Sequence, residues 1–417
     1  MFMPNIAKPF RMNAQQAKKM IQMSFRIFFT ILLLLKCFLI CAQDTRTQYP
    51  SFLSNSYFNV NVGYINYPFS KAQLETGYTV EAIEVPHTAV RIVLLGHQFH
   101  KYLSAQVSYM RPVKYVAYKS INGDKQDHHV WMHFGSLTLK SQLPLGKKIS
   151  VYGEGGLGIV TRKGFNIGEN TVVKNASYGA VFLGGGLEYH LNKRWDFLVS
   201  TSYAPSSSTQ NQPHTVYYSA GFRYNMRPLS AEQVEKNGSS QFIFPKNMLQ
   251  IGYTTNEFGY SINNFTSKTV PIFWGGGIEI EKGVTLRYQR NVYHTRKVFA
   301  LNIGTSVSWW RSKKNKDEFY SLALSPIFQF DILRTKPVDL YVFYSVAGPS
   351  YISKLEIDSS GTGRHFTFQD FMGIGIFTGK KRNINAEVNI NHYSNGNIFT
   401  ENAGVKIPLT FTLGYTF

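Results

Sequence analysis

A histidine and a serine stand two positions apart at the end of a segment whose apolar residues recur at every second position. The even positions from 384 to 390 are all apolar, and His392 and Ser394 continue the same parity. In a strand, both side chains would share one face, with their Cα atoms about 7 Å apart. Side-chain rotation can then bring the imidazole to the hydroxyl, and the imidazole can take its proton as the serine attacks a carbonyl. The pair predicts a nucleophilic site, and the alternative is a polar strand end without chemistry.

Two other motifs are weaker candidates for chemistry. Gly153–Gly158 matches the G-x-G-x-x-G pattern of dinucleotide sites, but that site needs a helix after it, and the chain continues with the strand-like Ile159–Thr161. Asp127–His129 could ligate a metal, but in a predicted turn these side chains are more simply explained as solvated. Cys37 and Cys41 both lie in the N-terminal apolar segment, so a mature chain beginning after Ala42 has no thiolate. We therefore predict no metal and no cofactor.

Alternation with period two dominates the chain after residue 50. Between 216 and 226 the even positions are Val, Tyr, Ala, Phe, Tyr and Met, whereas the odd positions include Ser219, Gly221 and Arg223. This pattern is typical of a strand with one apolar and one polar face. The 15% share of aromatic residues and the 34 glycines also suit strands and tight turns. The sequence predicts an all-β fold.

The apolar strand faces could bury against each other in a soluble sandwich or face lipid in a membrane barrel. A basic start, a short apolar core and a small residue before polar sequence indicate a signal peptide at 1–42, with a membrane anchor as the alternative. Strands of roughly ten residues also match the length that a tilted membrane strand needs. Export and strand length together favour a barrel in the bacterial outer membrane.

The strands fall into two groups. About eight strand candidates lie in 43–228 and eight or nine in 248–417, and the polar stretch 229–247 is typical of a linker. The pattern predicts two tandem antiparallel transmembrane β-barrels of about eight strands each, with one barrel of about sixteen strands as the alternative. The final strand ends on Phe417, which resembles the assembly signal of outer-membrane proteins, so the barrel assembly machinery is an expected partner.

The net charge of +20 limits the choice of partners. No helix-turn-helix, zinc-finger or RNA-binding pattern accompanies it, so nucleic acid is not expected. The basic residues could face phosphorylated head groups of outer-membrane lipids, or merely populate turns such as 311–316. A homodimer stays open.

The sequence H-x-S-N at 392–395, followed by N-x-G at 402–404 and an apolar final strand, resembles the pattern of the PagL-type lipid A deacylases, also called acyloxyacyl hydrolases. The resemblance covers about 248–417. It implies an eight-stranded outer-membrane barrel that removes an ester-linked acyl chain from lipid A of lipopolysaccharide without a metal.

Under this resemblance, Ser394 is the nucleophile and His392 the general base. Asn395, with the backbone N–H of Gly396, would stabilise the oxyanion. The family's acidic residue follows the histidine by fourteen positions, where this chain has Lys406. Glu401 in the following loop is the expected substitute if the loop folds differently from that of the family. Otherwise the triad is incomplete, which would weaken the Ser-His pair without necessarily abolishing activity.

The first unit, 43–228, resembles a small OmpA- or OmpX-type barrel and has no comparable set of polar residues. For the whole protein, the alternative to an esterase is a non-enzymatic barrel, either an adhesion or integrity protein or a narrow porin.

Overall fold

The computed structural model describes residues 46–270 and 275–417. The predicted signal peptide, 1–42, lies outside these ranges. No helix in them is long and apolar enough to cross a membrane.

The first barrel closes within residues 56–226. Its strand order is β6-β4-β3-β1-β12-β11-β10-β7, every neighbouring pair is antiparallel, and β6 pairs with β7 to close the cylinder. The hairpin β8–β9 and the strand β2, paired with β5, stand outside this ring. The bounds are β1 Ser56–Asn66, β2 Val80–Glu84, β3 Thr88–His100, β4 Leu103–Pro112, β5 Val116–Ile121, β6 His128–Pro144, β7 Ile149–Lys163, β8 Phe165–Ile167, β9 Asn170–Val173, β10 Ala176–His190, β11 Trp195–Ala204 and β12 Thr215–Met226.

The second barrel closes between its first and last strands. Its order is β13-β14-β15-β16-β17-β20-β21-β22, and β13 pairs with β22. The bounds are β13 Asn247–Thr255, β14 Ile278–His294, β15 Phe299–Ser312, β16 Glu318–Arg334, β17 Val338–Ile352, β18 Glu356–Ile357, β19 Ser360–Gly361, β20 Phe366–Thr378, β21 Ile384–Ser394 and β22 Val405–Thr416. The prediction of an all-β fold with two eight-stranded barrels is confirmed within the described residues.

Two short helices interrupt the strands. Helix α1, Ala231–Gly238, lies between the barrels in the stretch predicted as a linker, and the Ser230 hydroxyl caps it by accepting from the backbone N–H of Gln233 at 3.3 Å. Helix α2, Ser261–Thr269, follows β13, and Asn263 ties it to β22 by donating to the carbonyl of Ile407 at 2.8 Å.

Each barrel is apolar outside and polar inside. Leu157 and Leu413 point outward and are 72% and 65% exposed. Inside the first barrel, the guanidinium of Arg91 donates to the Glu154 carboxylate at 2.6 and 2.9 Å. This distribution is what a membrane barrel requires, since lipid contacts the outer face and polar groups must be satisfied within.

Candidate active site

The side chain of Tyr393 fixes which face of β21 points outward. Its hydroxyl lies inside the second barrel, 2.9 Å from Ser321 Oγ, and accepts from Gln369 Nε2 at 2.8 Å. Because successive strand residues point to opposite faces, His392 and Ser394 face outward. Both lie at one end of the second barrel. The opposite end holds the start of β13 and the end of β22.

An acidic residue that the sequence analysis did not identify lies beside His392. Asp370 on β20 is the direct cross-strand partner of His392 on β21. Asp370 Oδ2 lies 3.5 Å from His392 Nδ1, and the two side chains are 3% and 1% exposed. This distance is longer than a closed hydrogen bond, although such contacts in substrate-free sites often tighten when substrate binds. The site therefore brings together a carboxylate, an imidazole and a nearby hydroxyl.

A bulge in β17 holds the other oxygen of Asp370. Three residue steps from Ser345 to Gly348 oppose two steps on β20, and Ala347 within the bulge has φ +52°. Its backbone N–H donates to Asp370 Oδ1 at 2.6 Å. A non-glycine residue in the left-handed region is costly and is often found at functional sites. The bulge thus orients the carboxylate towards His392.

The family's acid position lies on the opposite flank of His392. Lys406 on β22 is the cross-strand partner of His392. Its ammonium lies 3.5 Å from Glu279 Oε1, and Lys313 Nζ lies 3.0 Å from the other oxygen of Glu279. The position that carries the acid in the family therefore carries a lysine paired with a carboxylate of its own.

The loop from 395 to 404 is held together by asparagines. Asn395 is buried, and its Nδ2 donates to the carbonyls of Thr362 at 3.1 Å and Glu401 at 2.6 Å. Its backbone N–H donates to Asn402 Oδ1 at 2.9 Å, while Asn402 Nδ2 donates to Asn397 Oδ1 at 2.9 Å. The two hydrogens of the Asn395 side-chain amide thus bind one carbonyl within the loop and one in the segment after β19. This explains why the pattern needs an asparagine at 395 and at 402.

The other two predicted site residues, Gly396 and Glu401, lie in different surroundings. Gly396 follows Ser394 closely, has φ +63°, and packs near the ring of Phe368. No backbone carbonyl in the described ranges accepts a hydrogen bond from its N–H. The side chain of Glu401 lies against Gly361 in the β18–β19 hairpin. The structure brings Asp370, and not Glu401, beside the imidazole.

Gly404 lies against the imidazole, and Gly276 packs on the far side of Gly404. Gly404 has φ +63°, and a Cβ on it would lie 3.2 Å from the Cα of Gly276 and 3.3 Å from His392 Nε2. A Cβ on Gly276 would lie 2.6 Å from the carbonyl carbon of Gly404. Only backbone without side chains fits this approach. Gly404 therefore contributes to the burial of His392 on a face that otherwise points outward.

Charged side chains at the end of the second barrel that carries His392 are largely paired. Lys316 Nζ lies 3.0 Å from Glu281, and Lys354 Nζ lies 2.8 Å from Asp317 in the turn between β15 and β16. The hydrogen bond from Lys354, with one from the backbone N–H of Asp358, holds the pKa of Asp317 below its ordinary value. Carboxylates therefore offset part of the basic charge here. No group of His, Cys, Asp and Glu in the described ranges could hold a metal ion.

Comparisons with known proteins divide the chain between the two barrels. The family described as Lipid A 3-O-deacylase (PagL) matches residues 282–416, and the family described as OmpA-like transmembrane domain matches residues 58–239. No curated protein matches the chain.

Solved structures of single barrels are similar to parts of the chain. The outer membrane enzyme PagL is 15% identical over 41% of this chain and 99% of that chain, with a TM-score of 0.29. The N-terminal β-barrel domain of Pseudomonas aeruginosa OprF is 14% identical over 41% and 98%, with a TM-score of 0.27. The Yersinia pestis attachment invasion locus protein Ail is 14% identical over 41% and 99%, with a TM-score of 0.26.

The two closed barrels and both family matches define a bacterial outer-membrane β-barrel protein. Its C-terminal half carries a domain of the PagL lipid A deacylase family, and its N-terminal half carries an OmpA-like transmembrane domain. The predicted family and location are confirmed.

Proposed function

We propose that the second barrel hydrolyses an ester-linked acyl chain of lipid A, with Ser394 as nucleophile, His392 as general base and Asp370 as the acid that orients the base. The observation that supports this proposal most strongly is the pairing of Asp370 with His392 on the outward face of the barrel. A carboxylate and an imidazole buried together on a lipid-facing surface have no evident structural purpose, because apolar side chains would suit that surface better.

In this proposal each ring nitrogen of His392 has a separate task. Nδ1 faces Asp370, so Nε2 is the atom that takes the proton from Ser394 Oγ as that oxygen attacks the ester carbonyl. The bond between the carbonyl carbon and the sugar oxygen then breaks, and the imidazolium returns its proton to that oxygen. Water, deprotonated by the same nitrogen, then attacks the acyl-enzyme. The bond between the acyl carbon and Ser394 Oγ breaks, the imidazolium returns its proton to Oγ, and the fatty acid leaves. Asp370 stabilises the imidazolium in both steps.

The tetrahedral intermediates need a hydrogen-bond donor for their negative oxygen. In this proposal the N–H of Gly396 is that donor, since it lies two residues beyond Ser394. Asn395 contributes by holding the loop, because its side-chain amide binds the carbonyls of Thr362 and Glu401.

The position of the site suits a lipid substrate. Below Asp370 on the same outward face of β20 lie Met372 and Ile374, and Ile374 is 56% exposed. An acyl chain can lie along this apolar row while its ester reaches the polar end of the strands, at the level of lipid head groups. The PagL family name specifies a 3-O-linked chain, and we propose the same linkage here.

Mass spectrometry of lipid A from cells that produce the protein tests the proposal. We expect lipid A shortened by one acyl chain with the wild type and unchanged lipid A with Ser394→Ala. Thr305→Ala, which removes a half-buried hydroxyl on β15 away from the site, should behave as wild type. Unchanged lipid A with a folded wild-type protein would refute the esterase and favour a non-enzymatic barrel.

A further inference from the structure

The first barrel touches the loop that follows Ser394. The carbonyl oxygen of Ile398 accepts hydrogen bonds from the hydroxyl of Thr161 on β7 and from Ser177 Oγ on β10, the latter at 3.3 Å. Thr161 and Ser177 are cross-strand partners, and their hydroxyl oxygens lie 3.4 Å apart. Two hydroxyls of one barrel therefore bind one carbonyl of the other.

Thr161, whose hydroxyl makes this contact, is buried although it lies on the outer wall of the first barrel. Leu157 and Thr161 share the outward face of β7, since they are four positions apart on one strand. Leu157 is 72% exposed, whereas Thr161 is 1% exposed. Lipid can reach the first position, but the second is occluded by protein.

The contact between the barrels is made at the outer turn of the 395–404 loop. Ile398 lies at its outer turn, where its N–H donates to the carbonyl of Asn395 at 3.1 Å and its neighbour Asn397 has φ +59°. The asparagine contacts fix the base of the loop, but Ile398 is four residues beyond Ser394. A hydrogen-bonded carbonyl at the tip restricts the path of Gly396 between the two.

We infer that the first barrel is a positioning partner of the active site, in which the hydroxyls of Thr161 and Ser177 hold the 395–404 loop so that the Gly396 N–H faces the reacting carbonyl. This inference rests on the proposed function of the second barrel. It also gives the OmpA-like half a role in the activity of the second barrel. The two residues do not touch substrate and act through the loop.

Cross-linking tests the contact independently of activity. Cys37 and Cys41 are the only cysteines of the chain, so serine at both positions leaves a background for engineered pairs. Thr161→Cys with Ile398→Cys should form a disulfide in intact membranes under a mild oxidant. Thr201→Cys with Ile398→Cys is the matched control, because Thr201 is exposed on β11, and it should not. Equal cross-linking of both pairs, or of neither, would overturn the inference.

Kinetics in vesicles that contain lipid A test the positioning role. Thr161→Val with Ser177→Ala removes both hydroxyls, and kcat should fall about tenfold with little change in KM, because loop displacement impairs transition-state binding. Thr161→Ser keeps the hydroxyl and should retain most of kcat, and Thr201→Val should have no effect. An inactive wild type would refute the proposed function together with this inference. An active wild type matched by the doubly substituted variant would refute the positioning role alone.

Discussion

At the scale of single residues, His392 has a charged cross-strand neighbour on each side, and the two neighbours are opposite in sign. Asp370 lies on β20 and Lys406 on β22. The family pattern puts the acid on the strand of Lys406, and this chain has a carboxylate on the other strand instead. An imidazole can be oriented from either side, since the acid has only to bind Nδ1 and stabilise the imidazolium.

Replacing the acid tests this assignment. Asp370→Asn should lower kcat by roughly 10⁴-fold, as loss of the triad carboxylate does in serine proteases, because the amide favours the wrong imidazole tautomer. The asparagine can still accept from the N–H of Ala347, so the bulge and the fold should survive. Kinetics on lipid A vesicles, together with the heat-dependent gel shift of folded barrels, would measure both. Full activity would exclude Asp370 from the mechanism.

The opposite flank of His392 allows a rescue experiment. In the Asp370→Asn background, Lys406→Glu with Glu279→Lys reverses the ion pair and places a carboxylate at the family's acid position. We expect kcat to recover at least about tenfold, because the imidazole regains an acidic neighbour. Lys406→Gln in the same background removes the lysine without adding an acid and should not recover. Equal rates for the two variants would show that the second flank cannot orient His392.

The sequence identified part of this site. Parity along one strand was enough to select His392 and Ser394, because it depends only on local alternation. Asp370 was missed because its proximity to His392 depends on the register between two strands. A signal was nevertheless present, since Asp370 interrupts the apolar row that Phe368 and Met372 form on the same parity of β20. A lone carboxylate on a lipid-facing row is a candidate functional group in its own right.

At the scale of elements, the approach of two loops over His392 depends on Gly276 and Gly404. Gly404→Ala adds a Cβ within 3.3 Å of His392 Nε2 and 3.2 Å of Gly276 Cα. The methyl group should displace the loop or the ring by a few tenths of an ångström. We expect kcat to fall severalfold, since a shift of about 1 Å can cost on the order of 10²-fold in rate. The measurement is kcat with the folded fraction determined on the same sample.

Gly168→Ala supplies the matched control for this variant. Gly168 has φ +59°, close to the +63° of Gly404, but a Cβ on it would meet nothing within 4 Å. Both substitutions carry the same left-handed strain of roughly 1–2 kcal/mol, and only Gly404→Ala adds a collision at the site. Equal losses of activity would attribute the effect to backbone strain rather than to contact with His392.

Strands and loops differed in how well they could be predicted. Alternation predicted strands such as β12 and β21, because a barrel strand exposes one apolar face along its whole length. The bulge at Ala347 was not predicted, since Ala has no preference for positive φ. The helix α1 was also not predicted, because its eight residues are mostly polar and only Ser230 marks its start.

At the scale of the whole molecule, buried ion pairs lie inside both barrels. In the first, Glu188 binds Lys140 and Arg223, and Arg223 Nη2 also lies 2.8 Å from Asp196. In the second, Arg287 pairs with Glu387, whose other oxygen accepts from the Tyr341 hydroxyl at 2.7 Å. The sequence predicted two barrels from the strand groups, but it could not predict these pairs, because they join distant strands across the interior.

The ion pairs across the barrel interiors are relevant to the narrow-porin alternative. Eight strands enclose a space that side chains can fill, whereas open water channels belong to barrels of about sixteen strands. The protein in planar bilayers should therefore conduct far less than an open sixteen-stranded porin in the same membrane. Removing the charge of Glu188 would leave Lys140 without its carboxylate partner and Arg223 with Asp196 alone, and should destabilise the first barrel by about 3–5 kcal/mol. Large, steady conductance from the wild type would require the ion pairs to separate in the membrane. In that case the interior, and not the outward-facing His392, would be the surface on which the protein acts.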